Sequence, residues 1–281
     1  MYSKKQLEIY SKFFEWDFTK VPETSKGKYV KSLYKDLLIA DVHAPFHHKE
    51  LFKQTIDDNL DAQNLWIAGD WWDFYSKSFY RKTHHIDFHV EFREGFAHLW
   101  KLSDKFENIY IMLSNHDMRF TKWMFDNVPS EALAFTDIHF VHRILQTIPN
   151  VKIISQTTEQ ARKVGYVHQH KNMVLSHIEM SRKNVGHTVQ EVCKELYRWE
   201  DAFRLKKYDM LLQAHNHQSA KVKFGNKYLF QIPCLIDISQ PSFDYVFSGR
   251  LQGNPPALGY ITLHKNEDGG FNPKKSNIVD L

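Results

Sequence analysis

Five times in this chain a short apolar run ends at residue types that ligate metal ions. Leu37-Leu38-Ile39-Ala40 leads into Asp41 and His43, and Leu65-Trp66-Ile67-Ala68 leads into Gly69-Asp70. Ile109 to Leu113 leads into Ser114-Asn115-His116-Asp117. Met173 to Leu175 leads to His177, and Met210 to Gln213 leads into Ala214-His215-Asn216-His217. Runs this short and this apolar read as buried strands. Helical spacing follows the first two: Phe52, Ile56 and Leu60, then Phe92, Phe96, Leu99, Ser103 and Phe106. Alternating strand and helix predicts an α/β fold with largely parallel strands. In such sheets ligands bind beyond the carboxyl ends of the strands, so five strand ends can bring residues distant in sequence to one place.

The rest of the chain fits around this frame. Leu7, Tyr10, Phe13 and Phe14 recur at helical spacing and predict an N-terminal helix packed on the main body. Residues 119–146 read as helical, 151–155 as a strand, and 166–168 with 173–175 as two strands about a Lys171-Asn172 turn. A charged helix is expected over 187–205, a hairpin turning at Gly225-Asn226, a last strand over 259–264, and a polar tail over 265–281. Repeats, low-complexity tracts and Gly/Ser linkers are absent from the sequence. The organisation expected is an N-terminal helical extension, 1–34, and one domain, 35–281, in which 71–107 is a candidate segment for covering the substrate.

Composition narrows the function. Apolar residues make up 42% and charged residues 25%, as in ordinary globular proteins, and no apolar run is long enough to span a bilayer. The first ten residues hold charge but no apolar core or small-residue cleavage site, so no secretory signal is expected. Cys193 and Cys234 form no metal-type pair or disulfide framework, which suits a reducing cytoplasm. A net charge of +4 permits an anionic partner without requiring one. The phosphate-cradling loop, the dinucleotide glycine fingerprint, His-Glu-x-x-His and Gly-x-Ser-x-Gly are all missing from the sequence.

The chemistry therefore rests on the strand ends. Each group alone has a bland reading: Gly-Asp is common in turns, and a lone histidine is usually a surface or satisfied core residue. The ordered set points elsewhere. Carboxylate, amide oxygen and imidazole together suit manganese, iron, zinc, cobalt or nickel, and the lack of thiolates disfavours a structural zinc site. Two ions about 3.5–4 Å apart need an anionic bridge, and Asp70 is the natural carboxylate for it.

This order resembles the calcineurin-like metallophosphoesterase superfamily: Asp-x-His, Gly-Asp-x-x-Asp, Gly-Asn-His-Asp/Glu, His, then Gly-His-x-His. Here the motifs read Asp41-Val42-His43, Gly69-Asp70-Trp71-Trp72-Asp73, Ser114-Asn115-His116-Asp117, Ser176-His177 and Ala214-His215-Asn216-His217. Ser114 and Ala214 stand where the family has glycine; neither change removes a ligand. Asp41-Val-His-Ala-Pro-Phe and Gly186-His187-Thr188 are further similar to phosphoesterases carried by phages and prophages. The resemblance implies a layered sandwich of two mixed β-sheets flanked by helices. It implies a binuclear centre in which Asp41, His43 and His217 hold one ion, Asn115, His177 and His215 hold the other, and Asp70 bridges. Manganese is the first expectation, with iron, zinc, nickel and cobalt as alternatives. His116 would lie beside the substrate, with Asp117 orienting it, and Asp73 is either an outer partner of the site or a helix-start carboxylate.

The expected activity is hydrolysis of a phosphate ester by a metal-activated water, without a covalent enzyme intermediate. The stretch between Asp70 and Asn115 is aromatic and basic. Within it, Trp71, Tyr80, Arg81 and Lys82 are the residues expected to contact substrate, which favours a phosphodiesterase or nuclease acting on DNA or nucleotides. A phosphatase or phosphodiesterase for a small molecule or phosphoprotein is the alternative. The retention of His116 counts against a third reading, a metal-bound binding module without catalysis.

Overall fold

The computed structural model describes residues 2–22, 28–79, 82–133, 136–154, 166–182, 184–240 and 255–281. Two sheets face one another. The first has the order β11-β10-β1-β2-β3-β4, and the second β5-β6-β7-β9-β8. In the first sheet β1 (Lys35–Ile39), β2 (Asn64–Ala68), β3 (Asn108–Met112) and β4 (Val151–Ile153) are parallel. In the second, β6 (Met173–His177), β7 (Met210–Gln213) and β9 (Lys227–Gln231) are parallel. Antiparallel strands complete the edges: β10 (Gly259–His264) and β11 (Asn277–Asp280) on one sheet, β5 (Tyr166–His170) and β8 (Ala220–Phe224) on the other. Both sheets are therefore mixed, with the expected parallel strands at their centres.

Alternation along each strand builds three apolar layers. Leu38, Ala40, Trp66, Ala68 and Met112 face Met173, Leu175, Met210, Leu212 and Phe230 between the sheets. Leu37, Ile39, Leu65, Ile67, Ile109 and Ile111 point the other way. They pack under α1 (Lys4–Phe14), α2 (Lys49–Asp57) and α3 (Phe88–Ser103) through Phe14, Phe52, Ile56, Phe92, Phe96 and Leu99. On the far side Val174, Leu211 and Leu229 pack against Val189, Val192 and Leu196 of the helix His187–Arg198. The result is an α/β/β/α sandwich.

The N-terminal segment joins the first outer layer. Tyr2, Phe14 and Phe18 are buried in it, and Phe14 stacks on Phe140 with ring centroids 5.0 Å apart. Residues 119–146 are not one helix. They form α4 (Arg119–Asn127), a short helix Ser130–Leu133 and another, Phe140–Leu145, and Pro129 marks the first break. The tail is also more ordered than its polarity suggests. Phe271 is buried between the sheets, and β11 pairs with β10. Among the described residues no helix is long and apolar enough to cross a membrane. Both cysteines are buried and free.

Candidate metal centre

The loops leaving β1 and β2 run side by side past the strand ends. Asp41 N–H donates to the Gly69 carbonyl at 3.1 Å, His43 to Asp70 at 2.9 Å, and Ala44 to Trp71 at 2.8 Å. This ladder turns the chain sharply enough to aim side chains back over the sheet. Of nine non-glycine residues with positive φ among the described residues, five are here: Asp41 (49°), His43 (52°), Asp70 (48°), His215 (83°) and His217 (52°). Left-handed backbone costs roughly 1–3 kcal/mol at such residues and clusters at functional sites. Gly69, at φ 93°, is required by contact as well. A Cβ there would lie 2.3 Å from Nδ1 of His177, which bonds the Ala68 carbonyl at 2.8 Å.

These loops bring together the residues expected from the motifs. Asp41, His43 and His217 form one buried cluster, and Asp70, His177 and His215 form a second; within each the potential ligand atoms lie within 4.8 Å of one another. Nε2 of His217 lies 3.2 Å from Asp41 Oδ1. Nε2 of His177 lies 3.2 Å from Asp70 Oδ2, and Nε2 of His43 lies 3.7 Å from the same oxygen. That oxygen thus sits between the clusters. Its partner, Oδ1, is occupied by the Ser114 hydroxyl at 2.5 Å and the His116 N–H at 3.1 Å.

Buried polar atoms are nearly always hydrogen-bonded, because leaving one bare costs several kcal/mol. Here Asp41 Oδ1, His43 Nε2, Asn115 Oδ1 and His177 Nε2 are buried without any hydrogen-bond partner. All four are atoms of a type that ligates metal ions, and those of Asp41, His43 and His177 belong to the two clusters. The donor set, oxygen and imidazole nitrogen without sulfur, fits divalent ions of the hard to borderline kind.

The charges say the same. Burial opposes the charged form of His177, but Asp70 and Asp41 outweigh it and raise the imidazole to about 10. Burial likewise opposes the Asp70 carboxylate, yet His177 and His116 hold it well below the usual range. His215 is pushed down to about 3 by burial and by the charge of His177. Without metal, protonated histidine supplies the positive charge that these carboxylates require.

A third cluster, His43, Asp73 and His116, has a different character. Asp73 Oδ2 lies 2.9 Å from His43 Nδ1 and 3.4 Å from His116 Nδ1, and Oδ1 accepts from Arg119 Nη1 at 2.8 Å. Asp73 thereby bonds His43 through Nδ1, with His43 Nε2 turned to the other side without a hydrogen-bond partner, and faces His116 Nδ1 across 3.4 Å. The expectation that Asp117 orients His116 is corrected. The Asp117 carboxylate accepts the backbone N–H groups of Trp72 at 2.8 Å and Ser114 at 2.9 Å, bracing two loops. Burial and the nearby Asp70 raise it to about 7. Arg119, missed from the sequence, donates through Nη2 to His116 Nε2 at 3.0 Å. Burial and that guanidinium push His116 down to about 4.

The expected substrate contacts fare differently. Trp71 is corrected: it is fully buried among apolar residues, and its indole N–H donates to the Gly95 carbonyl at 3.1 Å, so no ring face is left for a base. Trp72 and Phe74 are buried too. Tyr80 and Arg81 lie outside the described residues. Lys82 is exposed, with its ammonium on the Ser76 carbonyl. The stretch between Asp70 and Asn115 thus packs inward at both ends: α3 roofs the first sheet, while among the described residues 76–79 and 82–87 lie largely at the surface.

No family model matches the chain. No curated protein matches it either. Solved structures are similar in part. Vacuolar protein sorting 29 from Cryptosporidium parvum is 12% identical over 88% of this chain and 98% of its own, with a TM-score of 0.38. An archaeal phosphodiesterase is 12% identical over 87% and 99%, with a TM-score of 0.38. Vps29 from Entamoeba histolytica in complex with zinc is 13% identical over 88% and 98%, with a TM-score of 0.37.

Proposed function

We propose that the chain is a metal-dependent phosphoesterase for two divalent ions, in which the Asp70 carboxylate would serve both. The observation that carries this reading is the pair of buried clusters, Asp41-His43-His217 and Asp70-His177-His215, with Oδ2 of Asp70 lying 3.7 Å from His43 of the first and 3.2 Å from His177 of the second. Asp41, His43 and His217 would hold one ion; Asn115, His177 and His215 would hold the other. When bound, two divalent ions supply the positive charge that neutralises a phosphoryl group and makes water acidic enough to attack near neutral pH. The chain's own residues hold and orient. Asp73 fixes His43 and His116, Ser114 fixes Asp70, and Asp117 fixes the loops that carry them. His116 lies beside the ester and assists departure of its oxygen.

Two substrate classes follow from different observations. The basic segment that includes Lys77 and Lys82 supports a nucleic-acid strand or nucleotide. Burial of Trp71, Trp72 and Phe74 takes those three rings out of reach of a base and favours a small phosphate ester instead. Manganese-loaded protein assayed on p-nitrophenyl phosphate, bis-p-nitrophenyl phosphate, and single- and double-stranded DNA decides between them. A nuclease loses activity steeply with salt and on Lys82→Ala, whereas a small-ester enzyme is nearly indifferent to both. Absence of metal-dependent hydrolysis on all four substrates defeats the phosphoesterase reading.

A further inference from the structure

Arg119 opens α4, three residues after His116, in a turn closed by its own N–H on the His116 carbonyl at 2.9 Å. That spacing sets the two side chains on one face. Nη1 is anchored twice on Asp73, to the carbonyl at 2.9 Å and to Oδ1 at 2.8 Å. Nη2 donates to His116 Nε2 at 3.0 Å. A guanidinium cannot accept a hydrogen bond, so Nε2 of His116 is the acceptor and the ring proton sits on Nδ1, facing Asp73. The guanidinium covers the imidazole nitrogen that lies 3.9 Å from the bridging oxygen of Asp70.

This placement is costly for a purely structural cation. The Arg119 side chain is only 13% exposed. Its single anionic partner among the described residues, Asp73, is shared with His43 and His116. Nε and the second hydrogen of Nη2 have no protein acceptor among the described residues. The arginine therefore stands half-neutralised beside a site built for cations, with donors to spare. A planar fork with donors left over matches the oxygens of a phosphoryl group.

We propose that Arg119 is a phosphoryl-binding residue. When an ester or inorganic phosphate enters, Nη2 leaves His116 for a phosphate oxygen while Nη1 stays on Asp73. The exchange clamps the anion and uncovers Nε2 of His116 in one movement. This rests on the phosphoesterase reading for its substrate, but its test reads binding rather than turnover.

The experiment is calorimetric titration of inorganic phosphate into manganese-loaded wild type, Arg119→Ala and Arg119→Lys, with bound manganese measured in each. Wild type binds phosphate. Arg119→Ala binds it roughly 10- to 100-fold more weakly, the scale of a charge-assisted hydrogen bond, with manganese content unchanged. Arg119→Lys folds with a cation still on Asp73, yet recovers little of the loss, because an ammonium cannot fork between Asp73 and phosphate. Equal phosphate affinity in wild type and either variant overturns the proposal, even if turnover falls, since Arg119 then only positions His116. Arg119-dependent phosphate binding in a protein inactive on every ester leaves this anion site standing and defeats the phosphoesterase reading alone.

Discussion

Strand β1 carries a buried aspartate near each end, and the two could hardly be treated more differently. Asp36, at its start, accepts from the backbone and side-chain amides of Asn64 at 3.2 and 3.0 Å, from Trp66 Nε1 at 2.9 Å and from Lys265 at 2.8 Å. Asp41, just past its end, accepts one backbone N–H, from His215 at 3.2 Å, and leaves Oδ1 bare among imidazoles. Residue type, strand and burial are shared, so burial does not mark function here; saturation of the lone pairs does. Backbone strain separates the ends as well. None of the left-handed residues is Asp36, Asn64 or Asn108, whereas Asp41, His43 and Asp70 all are. One end of the sheet is built to be complete, the other to be completed.

The strongest test exchanges the two ends. Asp70→Asn removes the bridging charge. Affinity for both manganese ions should fall by at least about 100-fold, the upper end of what even an outer-shell loss costs, and hydrolysis should drop to background. Asp36→Ala should do the reverse. It leaves Trp66 Nε1 without its acceptor and Lys265 without its anionic partner, with only the Gln63 amide oxygen left to it among the described residues, costing about 3–5 kcal/mol in denaturant unfolding, while two manganese ions still bind. Retention of both ions by Asp70→Asn would sink the bridge; loss of them from Asp36→Ala would erase the contrast between the ends.

The next effect is on pH. In metal-free protein the Nε2 of His177 is protonated at neutral pH, since its pKa is raised to about 10. An ion needs that lone pair, so binding expels the proton. Manganese affinity should rise with pH, by about tenfold per unit while His177 remains the protonated ligand, and level off toward pH 10. Calorimetry in buffers of different ionisation enthalpy reads the released proton directly. A pH-independent affinity between 6 and 9 would mean that His177 does not ligate.

The completed and uncompleted ends were not equally visible in the sequence. Polar residues at the end of an apolar run announce themselves, and six of the seven named from those positions gather in two buried groups, Asp41, His43 and His217 in one and Asp70, His177 and His215 in the other. Partners that act through other residues give no such signal. Asp73 and Asp117 are each a carboxylate three residues beyond a motif residue, and only the fold shows that Asp73 reaches the imidazoles while Asp117 turns to backbone amides. Trp71 and Trp72 invited a stacking role because an aromatic beside a site is ambiguous. Gly95 inside α3 was the available clue: a Cβ there would lie 1.9 Å from the Trp72 indole nitrogen, so the helix makes room for these rings. Strand β11 was hidden because its pairing is nonlocal and Asn277–Asp280 is only half apolar. Arg119 was legible in principle, three residues from His116 at a helix start, but an arginine there is ordinarily a solvated charge.

Ser114 brings the contrast down to one carboxylate. Asp70 Oδ1 is saturated, like Asp36, by the Ser114 hydroxyl and the His116 N–H, while Oδ2 faces the clusters like the bare oxygen of Asp41. The same hydroxyl oxygen accepts the Asp70 N–H at 2.7 Å. A serine where the resembled motif has glycine therefore ties up Oδ1 and leaves Oδ2 as the oxygen of Asp70 that faces the two clusters. Ser114→Gly restores the glycine and removes both contacts. Stability should fall by about 1–2 kcal/mol, one buried N–H having lost its partner. With Oδ1 less restrained, manganese affinity should fall by no more than about tenfold, at the low end for an outer-shell contact. A titration that finds Ser114→Gly binding manganese as tightly as wild type would show that the His116 N–H alone holds Oδ1, and that the hydroxyl serves the loop rather than the bridge.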